Sequence, residues 1–265
     1  SAASDVYKRQ VLAYKESKFL EECLKSVKNQ SIPSKVVIAT ATPNTFIQSL
    51  ADKYDVEIIV NENHISIGYD FDFAVSVGKT ALVTVAHQDD IYDYTYAEEM
   101  VEAYHKQPKS TIIFSDYYEI KHGNEKIYQN RNLMIKQILL FLLRFHGLAH
   151  LGFIKRSALR FGDAICCPAV TFVKENVPNE IFASDLKCNV DWHAWERLSR
   201  RKGYFYYVHK YLMGHRIYGE STTSEIIGEN LRTKEDYEIL KRFWPNAIAK
   251  IIAKAYAYSE KSNEE

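Results

Sequence analysis

The sequence predicts an α/β fold built on a mostly parallel sheet, and three observations predict it. Stretches of strand character alternate with helical stretches of about ten residues, the pattern of β-α-β units. The strand stretches are continuous apolar runs, as expected of strands buried on both faces. Only 10 Gly and 6 Pro occur in 265 residues, which leaves little material for a flexible linker. At roughly 150 residues per domain, one compact domain with an elaboration is expected. A composition that is 46% hydrophobic and 26% charged excludes disordered, collagenous and disulfide-scaffold chains.

Val11–Tyr14 reads as strand, and Ser17 can cap a helix whose apolar positions Leu20, Leu24 and Val27 recur at helical spacing up to about Asn29. Lys35–Ala39 and Val56–Val60 are strand-like, with a helical stretch over Thr45–Tyr54 between them. A short helix over Phe71–Val77 precedes a fourth strand, Ala81–Ala86; Tyr96–Lys106 is helical and Thr111–Ile120 is strand again. His122-Gly123-Asn124 is a turn that can close a hairpin between Tyr117–Ile120 and Lys126–Tyr128. After it the alternation stops: Asn132–Phe145 is an apolar helix with basic flanks, Asp191–Arg201 a helix, Tyr204–Val208 a short aromatic strand. Glu229 to about Tyr258 reads as helix interrupted at Pro245.

Lys+Arg 34 balances Asp+Glu 34, which argues against a nucleic-acid binder working through bulk positive charge. The balance is uneven, however. From Lys126 to Gly162 there are seven basic residues and no acidic one, a local cationic surface. Its helix and the basic residues Arg144, Lys155, Arg156 and Arg160 suit peripheral docking on an anionic membrane, against the alternative of a core helix beside a solvated loop. Cys23, Cys166, Cys167 and Cys188 have no C-x-x-C spacing, so neither a zinc site nor a disulfide framework is expected. With no 18-residue apolar window, a cytoplasmic protein is expected. Ser1–Gln10 looks like the in-frame translation of a library-adapter sequence, so these residues are expected to pack poorly ahead of a first strand truncated at Val11.

In open α/β sheets ligands sit beyond the carboxyl ends of the strands. The fourth strand runs into His87-Gln88-Asp89-Asp90, where two carboxylates can hold a hard divalent cation that binds a nucleotide diphosphate; ordinary turn and capping chemistry is the competing reading. Asp191 with Trp192 and Trp195 is either an N-cap with an apolar helix face or a general base beside an aromatic platform for a sugar ring. His215-Arg216 with Glu220-Ser221-Thr222-Thr223 offers a cation and hydroxyls for phosphate oxygens, or a solvated loop.

Taken in order, these pieces resemble glycosyltransferase family 2 on the GT-A fold, over roughly Val11 to Thr223. The matching residues are Val11–Glu16 and Phe19–Ser31, Gly68 with Phe71–Val75, His87–Asp90, Pro168–Phe172, Asp191-Trp192, and His215-Arg216 followed by Ser221-Thr222. The resemblance implies a Rossmann-like, mostly parallel sheet flanked by helices. Residues 11–225 would form the transferase domain, with a nucleotide-binding half (11–120) and an acceptor half (121–225), and 226–265 a C-terminal helical extension. It implies an inverting transfer of sugar from a nucleoside-diphosphate sugar, a UDP-sugar in the first instance, to a hydroxyl of a glycan or lipid-linked acceptor, in cell-surface polysaccharide or glycolipid synthesis.

The same resemblance assigns roles. Asp191 would be the catalytic base. Ala13, Tyr14, Glu16, Asp90 and Arg216 would bind the donor. Asp89, with His87 beside it, would hold Mn2+ or Mg2+, and Trp192 and Trp195 would face the acceptor. Three positions depart from the family pattern: His87 replaces the first Asp of the D-x-D element, Thr40–Asn44 replaces an Asp-rich stretch, and Tyr218 stands where the family has a late His. A catalytically impaired sugar-binding module is the competing class. A nucleotidyltransferase is disfavoured because Tyr14–Ser17 lacks the glycines of a phosphate loop.

Overall fold

The computed structural model describes residues 7–121, 124–217 and 229–264, the last with side chains over 231–256. Nine strands form one sheet in the order β3-β2-β1-β4-β8-β6-β9-β5, with β7 on β6. These are β1 (Tyr7–Ala13), β2 (Lys35–Thr40), β3 (Glu57–Val60), β4 (Leu82–His87), β5 (Ile91–Tyr92), β6 (Ser110–Lys121), β7 (Glu125–Ile127), β8 (Val170–Val173) and β9 (Tyr204–Arg216). The pairs β1–β2, β1–β4, β2–β3 and β6–β9 are parallel; β8 runs antiparallel between β4 and β6. The mostly parallel sheet is therefore as expected; β8 is an addition to it, and the strand expected over Tyr204–Val208 runs on to Arg216 as β9.

The helices are α1 (Leu20–Lys28), α2 (Thr45–Tyr54), α3 (Ile67–Val77), α4 (Tyr96–Lys106), α5 (Arg131–Leu140), α6 (Gly152–Ser157), α7 (Val190–Ser199), α8 (Glu229–Leu240) and α9 (Asn246–Glu264). Because successive strand residues point to opposite faces, the sheet carries two cores. Leu82 and Ala86 of β4 join Leu24 of α1, Ile47 of α2 and Met100 of α4 on one side. Val83 and Val85 join Phe71 of α3 and Trp192 and Trp195 of α7 on the other. No helix of the described residues is long and apolar enough to cross a membrane.

The amino-terminal expectation needs correction where it can be seen. Tyr7–Gln10 are not loosely packed: they form the first half of β1, buried between β2 and β4. The Tyr7 hydroxyl lies 2.8 Å from Thr84 Oγ1. The side chains suit the place less well than the backbone does. Arg9 bonds Ser34 Oγ through Nη2, but its Nε and Nη1 and both amide atoms of Gln10 are buried without a hydrogen-bond partner among the described residues. A buried parallel strand ordinarily carries apolar residues there.

Two basic residues expected on a membrane-facing surface are bonded within the chain, Lys155 in the interior and Arg156 half-buried. Lys155 is fully buried and donates to the carbonyls of Arg201 (2.6 Å) and Gly203 (3.0 Å). Arg156 is paired with Glu196 and donates to Arg242 O at 2.7 Å. The apolar face of α5 and the 3-10 turn after it (Phe141–Arg144) is by contrast open: Ile138 is 71% exposed, and Met134, Phe141 and Phe145 lie exposed at helical spacing with it.

Candidate active site

β1 and β4 end side by side, Leu12 opposite His87, and the loops that follow them meet there. Gln88 reaches back across the sheet, accepting from Tyr14 N (3.0 Å) and donating to Tyr14 O (3.1 Å), so its amide imitates a ladder residue and fixes the loop after β1. Lys15, at φ 54°, turns the chain there, and its N–H donates to Thr42 Oγ1 at 2.6 Å. This leaves Ala13 buried, Tyr14 half-buried and Glu16 exposed at the rim.

After a three-residue turn, Gln88-Asp89-Asp90, the short strand β5 pairs antiparallel with β9, Ile91 opposite Gly214. That pairing carries His215 and Arg216 onto the Asp89–Asp90 turn. Asp90 is buried and accepts from His215 Nδ1 (3.1 Å) and Arg216 N (3.0 Å). Burial alone would raise its pKa, but the facing His215 and these hydrogen bonds win and hold it below the ordinary carboxylate value. His215 is shifted up in turn, Asp90 outweighing burial. Arg216 donates to Asp89 O (3.0 Å), Asn124 Oδ1 (2.9 Å) and Glu22 Oε2 (2.6 Å) and lies 4.1 Å above the Phe19 ring.

Asp90 and Arg216, expected to touch the donor, are thus engaged in holding the end of β9 on the β4 turn. Asp89 is half-buried at the same turn. His87 is shifted down by burial, against the pull of Asp90, Asp89 and Asp191, and its Nε2 has no partner among the described residues. Among the described residues no group of three or more His, Cys, Asp or Glu is arranged to hold a metal. A hard cation that takes most of its oxygens from a diphosphate and water needs only one or two protein ligands, however. Asp89 and the unpartnered His87 nitrogen fit that requirement; Asp90, with both oxygens engaged, does not.

Asp191 lies in the first turn of α7, one residue inside the helix, with Asn189 at the cap position expected for Asp191. Its Oδ1 accepts from Trp192 N at 2.9 Å, at the positive end of the helix dipole. Both tryptophans are interior, which corrects their expected acceptor role. Trp192 and Trp195 are at most 1% exposed, and their indole N–H groups donate to Leu159 O (3.0 Å) and Ile165 O (3.2 Å). They have no open ring face for a sugar; they bolt residues 159–165 to α7.

Two residues that the sequence did not mark lie within electrostatic reach of Asp191 or the β4 turn. Burial, and after it the charge of Asp191, push the Asp163 carboxyl well above the ordinary carboxylate range. Lys136 of α5 has its ammonium 2.9 Å from the Tyr117 hydroxyl, and its charge reaches Asp163, Cys166 and His215. Burial pushes the Tyr117 hydroxyl up to about 12. A signal was present: Asp163 is the residue that ends the acid-free stretch. Burial raises the pKa of the Cys166 and Cys167 thiols, and the charges of Asp90 and Asp191 act on both in the same direction. The β4 turn and the start of α7 therefore form one electrostatic neighbourhood.

α3 and α8 brace it. Asp72 of α3 accepts from Ile181 N (2.7 Å), Phe182 N (3.0 Å) and Ala183 N (2.8 Å). Gly68 lets that segment come close, since a Cβ there would lie 2.7 Å from Phe182 O. Tyr218, Glu220 and Ser221–Thr223, named from the sequence, lie outside the described residues, as does Glu225.

A parallel half sheet, β3-β2-β1-β4, an acidic turn after β4 and a carboxylate at the start of a later helix fit the architecture of a GT-A glycosyltransferase. The family model described as Glycosyl transferase family 2 matches residues 11–169, and the chain belongs to that family. Solved structures of S. aureus TarS are similar in fold. A structure of its residues 1–349 in complex with UDP-GlcNAc aligns at a TM-score of 0.63 with 14% identity, covering 94% of this chain and 70% of that one. A further TarS structure aligns at 0.58 with 13% identity, and there this chain covers 93% of itself but only 42% of the relative. No curated protein matches the sequence.

Proposed function

We propose that the chain transfers a sugar from a nucleoside-diphosphate donor, a UDP-sugar in the first instance, to a hydroxyl of a glycan or lipid-linked acceptor, with inversion at the anomeric carbon. The observation that carries this reading is that the charges of Asp89 and Asp191 both act on His87, so the β4 turn and the start of α7 face a common place. The similarity to a chain bound to UDP-GlcNAc supports a uridine donor.

In this reading the acceptor hydroxyl attacks the anomeric carbon from the face opposite the diphosphate, and Asp191 takes its proton. The new bond forms between acceptor oxygen and anomeric carbon; the bond to the diphosphate oxygen breaks and its electron pair leaves with the nucleotide. A bound Mn2+ or Mg2+ would be held by Asp89, with His87 beside it, and would supply charge stabilisation for the departing diphosphate. The loop after β1, fixed by Gln88, presents Tyr14 and Glu16 to the nucleoside.

The test is a thermal-shift panel of nucleotide sugars with and without manganese, followed by determination of the product anomer. A donor that binds only the folded chain raises its melting temperature. Sugar binding without any donor hydrolysis would favour the impaired module; a product that keeps the donor's anomeric configuration would exclude inversion.

The exposed face of Met134, Ile138, Phe141 and Phe145 supports peripheral docking on an anionic membrane, a setting for lipid-linked acceptors in cell-surface glycan synthesis. It lies in the stretch that carries no acidic residue. Lys155 and Arg156 take no part in it, being bonded internally.

A further inference from the structure

A donor diphosphate brings negative charge to a turn that already carries Asp89 and Asp90, so cationic donors have to meet it there. Arg216, which the sequence suggests for that task, has all three guanidinium nitrogens engaged. Its Nε donates to Asp89 O, Nη1 to Asn124 Oδ1 and Nη2 to Glu22 Oε2. His215 is bonded to Asp90 through Nδ1 at 3.1 Å. Both residues are thus already paired with carboxylates of the chain.

Lys136 is placed differently. Met134 and Ile138 of α5 are exposed, and position 136 lies about 200° around the helix from each, so its half-buried side chain turns inward. The ammonium donates to the Tyr117 hydroxyl at 2.9 Å and lies 5.3 Å from the centre of that ring. Tyr117, on β6 opposite Met213 of β9, meets the His215 ring edge-on with the centroids 6.0 Å apart. Lys136, Tyr117, His215 and Asp90 therefore form a chain of contacts from α5 to the β4 turn. An ammonium has three N–H donors, and the phenol takes one of them. Among the described residues Lys136 makes no other hydrogen bond and no ion pair.

We propose that Lys136 is a diphosphate-binding residue of the donor site, its remaining N–H groups meeting phosphate oxygens of the nucleoside diphosphate at the β4 turn. The inference rests on the reading of the chain as a transferase that uses nucleoside-diphosphate sugars. Burial pushes the Tyr117 hydroxyl up to about 12, so the phenol is neutral and leaves the charge of its partner unanswered. Burial would lower the Lys136 ammonium, but the phenol, thiol and carboxyl groups that face it win and hold it above the ordinary lysine value. Its charge acts on His215 at the β4 turn and on Asp163. No proton changes hands in this role. The electron pair of the broken bond stays on the diphosphate oxygen, and the ammonium stabilises the charge that builds there.

Lys136→Met, Lys136→Gln and Lys136→Arg separate this role from a structural one. Glutamine keeps a donor for Tyr117 without the charge, and arginine keeps the charge. Calorimetry with manganese present compares UDP with uridine, which lacks the phosphates. Lys136→Met and Lys136→Gln are each expected to weaken UDP roughly 10-fold or more and to leave uridine within about 2-fold, while Lys136→Arg holds UDP within about 5-fold of the parent. Equal loss of UDP and uridine, or full UDP affinity in Lys136→Gln, overturns the proposal. Slower transfer at that full affinity would assign the ammonium to a phosphate of the acceptor instead. Should Lys136→Met unfold, the glutamine and arginine variants decide. A parent that binds UDP while every variant binds it equally well sinks this inference alone; a parent that binds no nucleoside diphosphate sinks the donor reading and this inference with it.

Discussion

Glu235 Oε2 on α8 accepts the backbone N–H of Asn189 at 3.1 Å, one residue before the helix that carries Asp191. The same carboxylate accepts from Lys187 N and Cys188 N, each at 2.9 Å, and Asn189 Nδ2 donates to Asp236 at 2.7 Å. The C-terminal helices, which the sequence suggests as an extension, are thereby fastened to the start of α7.

Glu235→Ala should consequently act at the active site from a distance. It strips three N–H groups of their acceptor, each costing about 1 kcal/mol or more when buried. Urea unfolding should show a loss of roughly 2–4 kcal/mol, and hydrolysis of the donor should slow while the affinity for UDP is kept. Stability unchanged within error would show that water replaces the carboxylate without cost.

The two key carboxylates should fail differently. Asp89→Asn is expected to weaken manganese-dependent binding of UDP along with turnover. Asp191→Asn is expected to keep UDP affinity and fold while transfer drops roughly 10²-fold or more. Calorimetry beside initial rates on both variants checks this. An Asp191→Asn enzyme at the parent rate would move the search for the base to Glu220 or Glu225.

At the first strand, Arg9→Leu with Gln10→Leu should raise stability. Four buried polar atoms lack partners there, and the sheet positions are those of an apolar strand. Removing such groups should gain about 1–3 kcal/mol in chemical denaturation, after the loss of the Arg9–Ser34 bond. A lower midpoint would mean that Arg9 is better satisfied than its geometry indicates.

Lys155 gives a pH signature. Burial lowers its pKa to about 8 from the ordinary 10.5. Between those values the unfolded chain binds more protons than the folded one, so this group's contribution to stability rises with pH across that window and is flat below it. The melting temperature of the parent relative to Lys155→Met should therefore climb from pH 8 to pH 10. A difference that is constant over that range would mean that the amine stays charged in the fold.

For the membrane-facing reading, Ile138→Asp with Phe141→Asp should abolish co-sedimentation with vesicles of phosphatidylglycerol and phosphatidylcholine while leaving donor hydrolysis intact. Both side chains are exposed, so the fold should tolerate the change. Binding that is equal in the parent and this variant would remove the docking face from the model of function.

The sequence by itself determined what depends on local order. The period of Leu20, Leu24 and Val27, the apolar runs of β2 and β4, and the acidic turn at Asp89 are properties of neighbouring residues, so the sheet of parallel units and the family were legible. Tertiary structure decided which polar groups are spent on the fold. Arg216 and Asp90 look like donor ligands in isolation, but a two-residue strand, β5, pairs with β9 and commits them to each other's turn. Trp192 and Trp195 look like a platform until carbonyls some thirty residues earlier claim their N–H groups. Asp163 and Lys136 carry no spacing that links them to Asp191, and only the packing of α5 and α7 against the sheet makes them neighbours. Helical and strand periods are written along the chain, whereas a hydrogen bond between distant residues is chosen by whichever donor and acceptor the closed core leaves facing each other.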